Sequence, residues 1–114
     1  MQQPEGTIWV KTTIDVLSGK WKLLILWHLK DEPKRFGELR RLIPGVSEKV
    51  LTQQLRGLEK DEIIRRDVIP GNPATVEYSF TEYGKAIIPI IETLCKWGEI
   101  HYKRMQQPDS EETI

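Results

Sequence analysis

The stretch DEPKRFGELRRLIPGVSEKVLTQQLRGLEK, Asp31–Lys60, decides the fold. It holds two helical patterns with very little chain between them. In the first, Phe36, Leu39, Leu42 and Ile43 recur at helical spacing after a turn at Asp31–Pro33, and Pro44-Gly45 ends the run. In the second, Val50, Leu51, Leu55 and Leu58 share one face, and Ser47 is placed to cap it by accepting a free backbone N–H. Two helices meeting across so tight a turn predict a helix-turn-helix. The second helix, 47–61, leaves Lys49, Thr52, Gln53, Arg56 and Lys60 opposite its leucines, with Ser47 and Glu48 at its N-terminal end. Such a face is ordinarily a solvated one. What it does beyond that depends on its neighbours.

Upstream, Thr7–Leu17 has an amphipathic helical pattern stopped by Gly19. KWKLLILWHLK follows, with Trp21, Leu23, Leu24, Ile25, Leu26, Trp27 and Leu29 on nearly every side; it predicts a central core helix covered from several directions. Downstream of Asp61 the period becomes extended. IIRRDVI and TVEYSF are rich in β-formers and flank PGNPA, which predicts a two-stranded hairpin, 64–80, with a Pro/Gly/Asn tip. Thr81 can cap a long last helix through EYGKAIIPIIETLCKWGEIHYKRM, where Gly84 and Pro89 weaken the first turns and Pro89 is expected to bend it. No internal repeat is present. The order predicts a mainly α chain with a small β-hairpin, a winged helix-turn-helix, as one domain over 1–105 with an acidic flexible tail over 106–114.

A chain of 114 residues, 39% hydrophobic, can bury one modest core. Its single cysteine, Cys95, excludes an internal disulfide. With no apolar leader and no apolar run near ~20 residues, the chain reads as soluble and cytoplasmic, without a membrane partner. The net charge is zero, yet residues 34–66 carry nine Lys and Arg against five acids, a local patch able to attract phosphate.

Catalysis has little to build on. His28 sits in the apolar helix as a core or rim residue, and His101 and Cys95, six apart on a helix, do not share a face. No metal-ligand spacing, glycine-rich phosphate loop or nucleophile motif occurs, so no cofactor, metal or enzymatic activity is expected.

The polar helix face suits nucleic acid better. Short polar side chains and amides reach base edges in the major groove, and Arg or Lys takes guanine or phosphate, which makes Ser47, Lys49, Thr52, Gln53 and Arg56 the candidate base contacts. Lys34 and Arg35 on one side and Arg65 and Arg66 on the other flank that face as phosphate contacts do. Surface salt bridges with Glu38, Glu59 or Glu62 are the rival use of these cations, expected for Arg40 or Arg41. Asn72 at the hairpin tip could enter a minor groove or serve the turn alone. A protein-interaction module docking a partner on the same face is the alternative from another class, kept open by the neutral overall charge.

The last helix is too broadly apolar for one buried stripe. Leftover apolar area calls for a partner, and the first helix has apolar residues to match. Ile8, Trp9, Ile91, Leu94 and Trp97 are therefore the candidate interface of a symmetric homodimer, whose double-stranded DNA target would be an inverted repeat.

Four segments carry a family resemblance: GKWKLLILWHL, RFGELRRLIPGVSEKVLTQQLRGLE, VEYSFTEYGKAIIPII and LCKWG. In order and spacing, from about Ile8 to Gly98, the chain resembles the HxlR-type winged helix-turn-helix regulators, relatives of the MarR group. The resemblance implies a dimeric bacterial repressor or activator with the helix from Ser47 in the major groove and the hairpin beside the backbone. It names no effector. Many members similar to this chain have an oxidant-sensing cysteine near the start of the first helix; Ile8 holds that place here. Cys95 is expected instead to be a small buried apolar residue.

Overall fold

The computed structural model describes residues 4–107. Along them run α1 (Glu5–Leu17), α2 (Lys22–Leu29), β1 (Lys34–Arg35), α3 (Phe36–Leu42), α4 (Glu48–Lys60), β2 (Ile64–Ile69) and β3 (Thr75–Phe80). A single 3-10 turn (Gly84–Ile87) then leads into α5 (Ile88–Gln106). The expected acidic tail lies outside the described residues from position 108 onward, and Gln106 still belongs to α5.

Local chemistry sets the helix-turn-helix. Glu38 Oε1 accepts the Arg35 N–H at 2.7 Å, which satisfies a free donor where α3 begins. Gly45 then takes a left-handed φ of 85°, a conformation open to glycine, and the chain reverses. Ser47 Oγ accepts the Val50 N–H at 3.1 Å and caps α4. The leucine face of α4 goes inward: Leu51, Leu55 and Leu58 are fully buried with Ile25, Leu26, Leu39 and Ile43. Among the described residues no polar side chain is buried, so the core is held by apolar burial alone.

The structure departs from the sequence reading in several places. The hairpin is part of a three-stranded antiparallel sheet of order β1-β3-β2, because Lys34 and Arg35 pair with Tyr78 and Glu77 of β3. The helix α2 is covered from several directions, as expected, with Ile25, Leu26 and Leu29 buried, Leu23 and Trp27 partly buried, and Leu24 alone of its residues exposed. Its His28 is half-buried, as expected of a rim residue. Pro89 does not bend the last helix. It sits in the first turn of α5, where a missing N–H costs nothing, and Gly84 falls in the preceding 3-10 turn that Thr81 Oγ1 caps at 2.8 Å.

Two further corrections share one cause. Ile91, expected at a dimer interface, is 4% exposed and belongs to the protomer's own core, because the first turns of α5 pack on α2. From Glu92 to Gln107 every residue is exposed, since α5 outruns the body of the domain. Cys95 is therefore exposed, not buried. The same projection leaves Ile90, Leu94, Trp97, Ile100, Tyr102 and Met105 uncovered, with Trp97 stacked flat on His101 at 5.0 Å between ring centroids. Along α1, Ile8, Trp9, Val10 and Ile14 are likewise exposed and only Leu17 is buried.

Candidate nucleic-acid interface

Burying the leucines turns the opposite face of α4 outward. Glu48, Lys49, Thr52, Gln53 and Arg56 line one shallow groove along it. Thr52 and Arg56 also line a second groove, together with Phe36, Glu59, Arg66 on β2 and Tyr78 on β3. The helix face and the sheet thus form one continuous surface. Ser47, at the N-terminal end, shares a hollow with Gly37, Arg40 and Arg41 of α3. Its oxygen is engaged by the Val50 N–H, which leaves its own O–H to donate. The Thr52 hydroxyl makes no hydrogen bond to any described residue, unlike those of Thr12 and Thr13, which bond back one turn. Lys49, Gln53 and Arg56 are exposed.

The flanking cations divide sharply. Lys34 is 15% exposed at its side chain and pairs with Glu32 at 3.3 Å. Arg65 is clamped by Asp67 through two hydrogen bonds, Nε to Oδ2 and Nη2 to Oδ1, both 2.9 Å. These bonds, and the Asp67 charge, hold the guanidinium more firmly protonated than usual. Arg40 pairs with Glu48 at 3.1 Å. Arg35, Arg41, Lys49, Arg56 and Arg66 have no acid within ion-pair distance among the described residues. Arg40 and not Arg41 makes the expected surface pair, but with Glu48, an acid outside the three expected as partners. Asn72 stands at the exposed hairpin tip, away from the α4 groove.

Sequence reasoning missed two acids that shape this surface. Asp67 lies two residues from Arg65 on one strand, and a period of two puts both on the same face. That signal was present. Glu48 reaches Arg40 only across the α3–α4 turn, which no local pattern reports. Arg41, the other arginine weighed for a surface pair, has its guanidinium over Gly37, open to solvent.

A helix-turn-helix whose second helix presents such a face, with a sheet continuing it, defines a winged helix-turn-helix protein. Residues 16–106 match the HxlR-like helix-turn-helix family, and the chain belongs to that family. It is 45% identical over 105 residues to the HTH-type transcriptional regulator YtcD of Bacillus subtilis, covering 92% of this chain and 83% of YtcD. An HTH-type transcriptional regulator of Methanothermobacter thermautotrophicus is 45% identical over 92 residues, 81% of this chain and 70% of the relative. Among solved structures, the reduced form of the redox regulator HypR matches with a TM-score of 0.80 at 42% identity, over 85% of this chain and 96% of HypR. A MarR-family regulator from Porphyromonas gingivalis W83 matches with a TM-score of 0.78 at 35% identity, over 87% and 97%. These are transcriptional regulators and not enzymes, and the chain is a transcriptional regulator of this kind. No helix among the described residues is long and apolar enough to cross a membrane.

Proposed function

We propose that this regulator binds double-stranded DNA sequence-specifically as a homodimer, with α4 in the major groove of each half-site and the hairpin 64–80 as a wing along the backbone. The observation that carries the reading is the continuity of the two grooves through Thr52 and Arg56, which joins a base-reading face to a free cation on the sheet. Ser47, Lys49, Thr52, Gln53 and Arg56 read base edges, Gln and Arg by bidentate pairs to adenine and guanine. Arg35 and Arg66, unpaired and exposed, take phosphate and set the register. Lys34 and Arg65 contribute less, because acids already answer their charges. Asn72 reaches the neighbouring minor groove from the wing tip.

The uncovered apolar residues of α1 and α5 support dimerisation, with Ile8, Trp9, Leu94 and Trp97 in the interface and Ile91 behind it. A two-fold dimer presents two α4 helices, so the operator is an inverted repeat with half-sites about one helical turn apart, or a multiple of it. Binding chromosomal DNA would put the protein to work in the cytoplasm. Selection of bound sequences from a random duplex pool tests the reading and is expected to return such a repeat. Gln53→Ala and Arg56→Ala are expected to weaken binding to that operator by about 1–3 kcal/mol and to scrambled DNA much less. Equal losses on both duplexes would confine α4 to the backbone; no enrichment at all would favour a protein-docking face.

A further inference from the structure

The first of the two grooves along α4 is lined by one acid, and Glu59 lines the second. Glu48 opens the helix and lines the first groove with Lys49, Thr52, Gln53 and Arg56, its side chain 72% exposed. A bare carboxylate on a surface that meets polyphosphate repels it. Here the charge is answered from α3: Arg40 Nη1 donates to Glu48 Oε2 at 3.1 Å across the turn. The pair occupies one oxygen. Oε1 accepts no hydrogen bond from any described residue, so an acceptor stays open at the N-terminal end of α4, from which helix-turn-helix proteins contact base edges.

The rest of the groove differs in kind. Lys49 and Arg56 only donate, and Thr52 and Gln53 can do either; ionised Glu48 only accepts. In the major groove the donating edges are the exocyclic amines. Adenine sets its N6 amine beside the N7 acceptor, which repels a carboxylate, whereas cytosine offers its N4 amine alone. We propose that Glu48 determines specificity by reading a cytosine N4 amine in each half-site, and that Arg40 is a positioning residue that neutralises and holds it. The inference rests on the DNA reading of α4 and names one base pair it selects.

The test titrates the full chain by fluorescence anisotropy against the selected operator and duplexes changed symmetrically at one half-site position at a time. Wild type, Glu48→Gln, Glu48→Ala, Arg40→Ala and the Arg40→Ala/Glu48→Ala double variant are compared. One C·G pair is expected whose replacement costs wild type about tenfold and costs Glu48→Ala nothing. Glu48→Gln is expected to move the preference there toward A·T, since an amide matches N6 and N7 together. Arg40→Ala is expected to reduce the cytosine preference in the wild-type background and not in Glu48→Ala. If Glu48→Ala raises affinity for every duplex by one factor, the carboxylate is a repulsive charge only; the inference is overturned and the DNA reading stands. A wild-type chain indifferent to all duplexes overturns both.

Discussion

Gly84 lies so close to the main chain of Ile63 that a β-carbon at position 84 would overlap the Ile63 carbonyl oxygen. That carbonyl also accepts the Thr81 N–H at 3.1 Å, while the Thr81 hydroxyl donates to the Glu62 carbonyl at 2.7 Å. The root of the wing and the entry to α5 are thereby fastened together where α4 ends.

Gly84→Ala is expected to lower the unfolding free energy by about 1–3 kcal/mol, the usual cost of overpacking a closed site. Thr81→Val, which removes the hydroxyl from Glu62 and Gly84, is expected to cost about 1–2 kcal/mol. Urea denaturation measures both. A Gly84→Ala variant of native stability would show that the Ile63 segment yields freely.

The two adjacent arginines of β2 are expected to behave differently. Arg66→Ala should weaken operator and unrelated DNA alike and flatten the dependence of log affinity on log salt by about 0.9 for each phosphate left without its cation, one in each subunit. Arg65→Ala should do less, its charge being answered by Asp67. Asp67→Asn, which releases Arg65, should steepen the salt dependence. Anisotropy over a range of salt gives all three slopes, and an Arg65 variant as costly as the Arg66 one would contradict the division.

On α5, neighbouring positions separate folding from assembly. Leu94→Glu, at a residue 47% exposed, is expected to give monomers with native helical content. Ile91→Glu buries a carboxylate in the protomer core and is expected to destabilise the fold itself. Sedimentation at micromolar concentration with parallel circular dichroism distinguishes the two, and a native chain that sediments as a monomer would refute the homodimer.

His28 couples stability to pH. Burial first, and then the charge of Lys34, lowers its pKa below the ordinary 6.5. Just below that value the unfolded chain binds a proton there that the folded chain refuses, so stability falls as pH drops from 6.5 toward the folded pKa. Well above 6.5, where both states are deprotonated, this group has no effect. His28→Gln is expected to flatten that part of the profile, read by urea denaturation between about pH 7 and about pH 5.

What the sequence made legible follows from the range of each interaction. Helix α4 was readable because Leu51, Leu55 and Leu58 repeat at its own period and Ser47 caps from an adjacent position. The hairpin was readable because β2 and β3 are neighbours in sequence joined by a turn-rich tip. Strand β1 was not: two residues have no alternation to detect, and Lys34–Arg35 is a strand only because β3 returns beside it. Pro89 was misread because its effect depends on where the helix begins, which the 3-10 turn decides. Ile91 and Cys95 were misread together, since helical spacing shows which residues share a face but not how far the body of the domain extends along it. At the interface, the polar face of α4 was plain in sequence. Of the pairings that sort its cations, that of Arg65 with Asp67 lay within reach of the period of two along β2, while that of Arg40 with Glu48 crosses a turn and has no local pattern.

In the proposed dimer the projecting part of α5 would also act as a lever. Met105 stands fourteen residues beyond Ile91, about 21 Å along the axis, with the first turns as its fulcrum. A tilt of roughly 5° at that fulcrum swings the far end by about 2 Å over such an arm. If two subunits are joined along these arms, the angle at which Ile88 and Ile91 seat α5 on α2 sets the distance between the two α4 helices. Substitutions at that seat, far from any base, would then retune the spacing of half-sites an operator must offer, while the bases read within each half-site stayed the same.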